Sequence, residues 1–238
     1  MMPVDGSRPR TDGAAAHVAV VIPVGASAVV LDKMRADYST ARLGMESRFA
    51  FIDADLPSIE SPEDVRAAEE AVVRGVATVA AEGADSAIVA CFSEPGVQAA
   101  ARAVDIPVIG EGRVTVAAVG AIFERFSILS ASSSTFDAKA QMVAELGLEA
   151  RLKSLVSLDV PVAELTVARA GDVARLVAAE VDDGADAVVL GCTGLEPGFT
   201  EAVRRALSGH VSRTVVVDPA DVAGRVAVAL AIGTRGVS

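Results

Sequence analysis

The chain repeats itself. Residues 83–91 read Gly-Ala-Asp-Ser-Ala-Ile-Val-Ala-Cys and residues 184–192 read Gly-Ala-Asp-Ala-Val-Val-Leu-Gly-Cys, at a constant offset of 101 positions. One inserted residue later, Glu94-Pro95-Gly96 matches Glu196-Pro197-Gly198. Upstream, residues 18–27 and 126–135 are both apolar runs that end in small and hydroxylated side chains. A duplication of this length means that each half is one structural unit built to the same plan.

That plan is α/β. Apolar runs of strand length alternate with stretches of helical period along the whole chain, as βα units around parallel sheets require. Candidate strands are residues 18–24, 48–53, 87–91, 107–109, 126–131, 152–158, 187–192 and 214–217, which form two sets of four. Ser61-Pro62-Glu63-Asp64 supplies a helix N-cap, a first-turn proline and first-turn acids, and Gly83 supplies the stop. Asp172 and Gly184 bracket the equivalent helix of the second half. The expectation is two pseudo-symmetric domains, each a four-stranded mainly parallel sheet flanked by helices.

With 238 residues, 52% of them hydrophobic, the chain can bury a large core. Its net charge of −11 is spread along the sequence, which argues against a nucleic-acid partner, because phosphate affinity needs clustered Lys and Arg. No run of about 18 residues is free of charges and helix breakers, so no membrane span and no membrane partner are expected. Residues 1–16 read as a disordered tail without the apolar core of a signal peptide, and the expected location is cytoplasmic. Two cysteines are too few for a disulfide framework, so both are expected as thiols.

Those two cysteines carry the functional reading. Ligands of open parallel sheets bind beyond the carboxyl ends of the strands. Cys91 and Cys192 are the last residues of equivalent expected strands, each followed by small polar neighbours, Phe92-Ser93 and Thr193-Gly194. A lone cysteine in such a place is most often a core residue, but recurrence of the only two at matched positions favours chemistry. If the halves face each other, the two thiols approach one cleft from opposite sides. One can then remove a proton from one face of a carbon while the other delivers a proton to the opposite face. Backbone N–H groups of the loops, with Ser93 and Thr193, can stabilise the charge that develops on a carbonyl oxygen.

The segments Ala90-Cys91-Phe92-Ser93-Glu94-Pro95-Gly96 and Ile106-Pro107-Val108-Ile109-Gly110 resemble elements of hydantoin and allantoin racemases. Leu190-Gly191-Cys192-Thr193-Gly194 is similar to the second cysteine signature of the Asp/Glu/hydantoin racemase superfamily, and Pro57-Ser58-Ile59-Glu60-Ser61 to a further hydantoin-racemase loop. The resemblance runs from about Val18 to Leu230. It implies a cofactor-independent racemase or epimerase with catalytic Cys91 and Cys192, acting on a hydantoin-like or amino-acid-derived small molecule, as a homo-oligomer. It also implies crossovers that put residues 17–112 and 219–238 in the first domain and 113–218 in the second. Pro23, Val24, Ser27, Phe92, Ser93, Ser132, Ser133, Ser134, Thr193 and Gly194 are the substrate-binding residues expected from it.

Several features depart from the family's patterns. Hydantoin racemases carry Pro-Asn after the first strand, where this chain has Pro23-Val24-Gly25-Ala26-Ser27, and an acid expected after Pro-Val-x-Gly is Arg113, with Glu111 displaced. Glutamate racemases have Asp-Ser and a His where this sequence has Val24-Gly25 and Gly194. A maleate-type cis–trans isomerase, a related decarboxylase and a catalytically inactive small-molecule-binding homologue are the alternatives. A redox dithiol lacks its Cys-x-x-Cys. His17 and His210 are expected in surface or packing roles, and no metal site, hydrolase triad or phosphate loop is read.

Overall fold

The computed structural model describes residues 17–44, 47–208 and 215–235. The expected tail 1–16 and His210 lie outside those residues.

The first half contributes β1 (Val18–Ile22), α1 (Ala28–Asp37), α2 (Thr40–Leu43), β2 (Ser47–Phe51), α3 (Pro62–Ala81), β3 (Ser86–Val89), α4 (Val97–Ala103) and β4 (Val108–Gly110). The linking helix α5 (Glu111–Ile122) precedes β5 (Phe126–Ser130), α6 (Phe136–Glu145), β6 (Leu152–Ser157), α7 (Ala170–Asp182), β7 (Ala187–Leu190), α8 (Phe199–Leu207), β8 (Val215–Val217) and α9 (Pro219–Arg235). Both sheets are parallel throughout, in the orders β2-β1-β3-β4 and β6-β5-β7-β8. The second order is the first with every strand number raised by four, so the sequence repeat is a repeat of topology.

Strand alternation explains how each sheet is covered. Side chains of successive residues point to opposite faces. Val18, Val20, Ile22 and Ile88 therefore pack with α1 and α9, while Ala19, Val21, Ala87 and Val89 pack with α3 and α4. In the second sheet Val188 and Leu190 meet α7 and α8, and Ala187 and Val189 meet α5 and α6. Helix α5 serves both halves, with Val114 against the first core and Val116 and Val119 in the second. Among the described residues no helix is long and apolar enough to cross a membrane.

The start of α3 forms as read: Ser61 accepts from the Asp64 N–H at 3.2 Å and the Asp64 carboxylate accepts from the Ser61 N–H at 2.9 Å. Gly83 and Gly184 both take positive φ, 87° and 93°. Asp172 differs from expectation. A 3-10 turn at Val167–Arg169 starts the helix earlier, so Asp172 lies in its first turn and pairs with Arg169 and Arg175 instead of capping. The strands before the cysteines also end two residues early, at Val89 and Leu190. Ala90 and Gly191 still donate to the neighbouring strand, at Val21 and Leu129, before the chain turns away. Both cysteines thus stand in the loops just past the carboxyl ends.

Candidate active site

Those loops are held by their own sequence. In the first, the Cys91 N–H donates back to the Val89 carbonyl at 2.9 Å and the Glu94 N–H donates to the Cys91 carbonyl at 3.1 Å, with Glu94 at φ 52°. Gly96 at φ 68° and Gly198 at φ 84° then open α4 and α8 in the left-handed region that glycine enters without strain. The matched glutamates brace both loops: the buried Glu94 carboxylate accepts the Arg113 N–H at the start of α5, and Glu196 accepts the Val167 N–H at 2.5 Å. Gly112 is required by this packing, since a Cβ there would lie 2.2 Å from the Phe92 carbonyl oxygen.

A cavity of about 330 Å³ lies at these loops and is lined from both halves. Cys91 and Cys192 both line it, with Phe92, Ser93, Thr193 and Gly194 from their own loops. Pro23, Val24 and Ser132 line it as well. Ser27, Ser133 and Ser134 do not. The Ser27 hydroxyl caps α1 by accepting the Val30 N–H, the Ser133 N–H donates to Asp159, and the Ser134 hydroxyl donates to the Glu60 carbonyl at 2.7 Å. That last bond ties the second half to the 57–61 loop of the first, whose Pro57, Ser58, Ile59 and Glu60 also line the cavity.

The walls are mainly apolar, with Ile22, Met34, Phe92, Ala131 and Val162 among them. Both cysteines are half-buried, and both are free. Dense packing around each sulfur is the first cause that pushes both thiols up to about 12. Against it, the Ser93 N–H and the charge of Lys139 lower Cys91, and Lys139 lowers Cys192. Glu111 acts on both thiols in the raising direction, as does Asp218 on Cys192.

Lys139 was not legible as a site residue, because a lysine in an amphipathic helix reads as a solvated one. Its only signal is its spacing, since Lys139, Met142 and Val143 form one buried stripe of α6. Glu111, the first residue of α5, is fully buried beneath the Cys192 loop. Its Oε1 accepts from the Tyr38 hydroxyl, and burial holds its carboxyl well above the usual range, against the lowering pull of the Tyr38 and Thr193 hydroxyls. Among the described residues no group of three or more His, Cys, Asp or Glu side chains is arranged to hold a metal ion.

The family description Asp/Glu/Hydantoin racemase matches residues 18–227 of this chain. The sequence is similar to the hydantoin racemase of Rhizobium meliloti, 29% identical over 142 residues that cover 58% of this chain and 59% of that protein. It is also similar to the hydantoin racemase of Paenarthrobacter aurescens, 31% identical over 150 residues, 61% of each. The chain thus spans about three fifths of the curated relatives it matches. In fold it is similar to allantoin racemase from Klebsiella pneumoniae, with a TM-score of 0.78 at 24% identity, covering 92% of this chain and 89% of that one.

Proposed function

The chain belongs to the Asp/Glu/hydantoin racemase family, and from that premise we propose that it is a cofactor-independent racemase or epimerase, with Cys91 and Cys192 as its acid and base. The observation that carries the reading is that two cysteines from equivalent loops of the two halves line one cavity. In this reading the substrate carbon sits between the sulfurs. One cysteine, as thiolate, takes the proton beside the carbonyl, and the other, as thiol, returns a proton to the opposite face. Loop N–H groups, with Ser93 and Thr193, stabilise the carbonyl oxygen as it gains charge. A hydantoin-like or amino-acid-derived compound suits a cavity of this size with mainly apolar walls, and its carbonyl-activated C–H makes thiol chemistry sufficient.

The same proposal treats residues 17–112 with 219–238 as one domain and 113–218 as the other, supported by the packing of α9 on the first sheet. It takes the protein as cytoplasmic, as residues 1–16 are read, and as a homo-oligomer, as the family resemblance implies.

The test is solvent exchange in deuterated water, followed by NMR and chiral chromatography, with a panel of 5-substituted hydantoins and amino acids. Exchange at the stereocentre is expected to accompany inversion, and Cys91→Ser and Cys192→Ser are each expected to slow inversion by about 10²–10⁴-fold. A folded protein that exchanges none of the panel sinks the proposal. A covalent adduct of maleate on one cysteine would replace it with cis–trans isomerisation.

A further inference from the structure

Lys139 is 4% exposed, yet no carboxylate lies within salt-bridge distance of it among the described residues. A buried ammonium without an anion is costly, and buried charges in folded proteins are ordinarily paired. Its visible partners are neutral. Nζ donates to the Thr135 hydroxyl at 2.7 Å and stands 5.4 Å from the centre of the Phe92 ring.

Its position gives the reason. Phe92 follows Cys91, so the ammonium lies against the first cysteine loop. The stem lies against the second: Cε is 3.0 Å from where a Cβ of residue 191 would stand, immediately before Cys192. Glycine at 191, where the other repeat has Ala90, leaves room for that stem. One cation therefore touches both loops from inside the cavity that both cysteines line.

We propose that Lys139 is the fixed counter-charge of the cysteine pair, stabilising the single negative charge as it passes from one sulfur through the substrate to the other. This rests on the reading that both cysteines act in one cleft. In the forward direction the thiolate forms an S–H bond with the substrate proton, the C–H electron pair becomes a C=C bond, and the carbonyl π pair moves onto oxygen. The oxygen pair then re-forms the carbonyl as the C=C pair takes a proton from the second thiol, which becomes the thiolate. The net charge is constant throughout, so one ammonium beside both loops serves every stage, and it serves inversion in either direction alike. Lys139 acts here through the thiols, as a positioning residue for charge.

The groups that face these charges fit the assignment. Burial pushes Lys139 downward, and both cysteines pull it back up. The other charged neighbours of the thiols are Glu111 and Asp218, which oppose a thiolate. Lys33 of α1 and Glu60 are the remaining charged side chains of the cavity lining, and neither is among the largest influences on Lys139 or the sulfurs.

Thiol alkylation tests this without a substrate. Iodoacetamide is applied across a pH series to the wild type and to Lys139→Met and Lys139→Arg, with the modified cysteines identified by mass spectrometry and folding checked by circular dichroism. Lys139→Met is expected to slow alkylation of both cysteines by about tenfold or more at a given pH and to move their rise to higher pH, as loss of a nearby opposite charge requires. Lys139→Arg, which keeps the charge, is expected to stay near the wild-type profile. If Lys139→Met does not fold, Lys139→Gln, which can still bond Thr135, takes its place. An unchanged profile in the neutral variant overturns the proposal, and so does an arginine variant as slow as the neutral one, since that makes Lys139 a packing residue. The racemase reading fails separately, by absence of solvent exchange, and leaves the alkylation result standing.

Discussion

Glu94 shows how a single residue couples the cysteine loop to pH. Its carboxyl is packed behind Gly110, where a Cβ would lie 2.3 Å from it. Burial pushes it from the ordinary 4.5 to about 7, against the lowering pull of the Arg113 N–H and guanidinium and the Gly112 N–H. The native state thus holds this proton more tightly than the unfolded chain. Between pH 4.5 and 7 the unfolded state has released it and the native state has not, so stability falls as pH rises through that window. The shift is worth about 3 kcal/mol as an upper order of magnitude. Glu94→Gln removes the titration while keeping an oxygen for the Arg113 N–H. Urea denaturation at pH 5 and pH 8 is expected to show the variant losing less stability across the window than the wild type, and equal losses would contradict the assignment. Glu111 is present in both proteins and cancels. In the sequence, the repeat marked Glu94 and Glu196 as equivalent, but only packing reveals that one brace is buried and titrates.

At the scale of elements, the two repeats are alike in backbone and unlike in surroundings. Gly96 and Gly198 open α4 and α8 with the same left-handed turn. A Cβ at residue 96 would stand 2.7 Å from the Glu69 carbonyl oxygen in α3, whereas one at residue 198 meets nothing within 4 Å. Gly198→Ala therefore pays only backbone strain, about 1–2 kcal/mol. Gly96→Ala adds displacement of α3, and chemical denaturation is expected to show the larger loss there; similar losses would mean that α3 yields freely. The turn chemistry of both elements was readable because glycine after proline is a local signal. The strand ends were not: the apolar runs continue to the cysteines, while the ladders stop at Val89 and Leu190 because the chain turns into the loops.

For the whole molecule, the decisive element is α9, the last in the chain, which returns to the first sheet. Ala220, Ala223, Ala227 and Ala231 form its buried face, and the Ala227 carbonyl accepts the Ser86 hydroxyl at 3.1 Å. Small side chains let the helix lie close to β3. Ala227→Leu is expected to cost about 1–3 kcal/mol by overpacking. Leu230→Ala, at a position 42% exposed, is expected to change stability by less than about 0.5 kcal/mol. Thermal melts of the pair check the placement, and the reverse ranking would refute it.

By itself the sequence determined the plan: two copies of a four-stranded unit, with period-two alternation in each strand and a cysteine at the same place in both. These are local properties, written in backbone preference and in the burial of near neighbours, and a duplication displays them twice. What only the tertiary structure decided is what faces what across some hundred residues of chain. The two cysteine loops open on one cavity because α5 packs into both cores, with Val114 on one side and Val116 and Val119 on the other. Tertiary packing also buries Lys139, so a residue that reads as solvated in its own helix lines the cavity that both cysteines line.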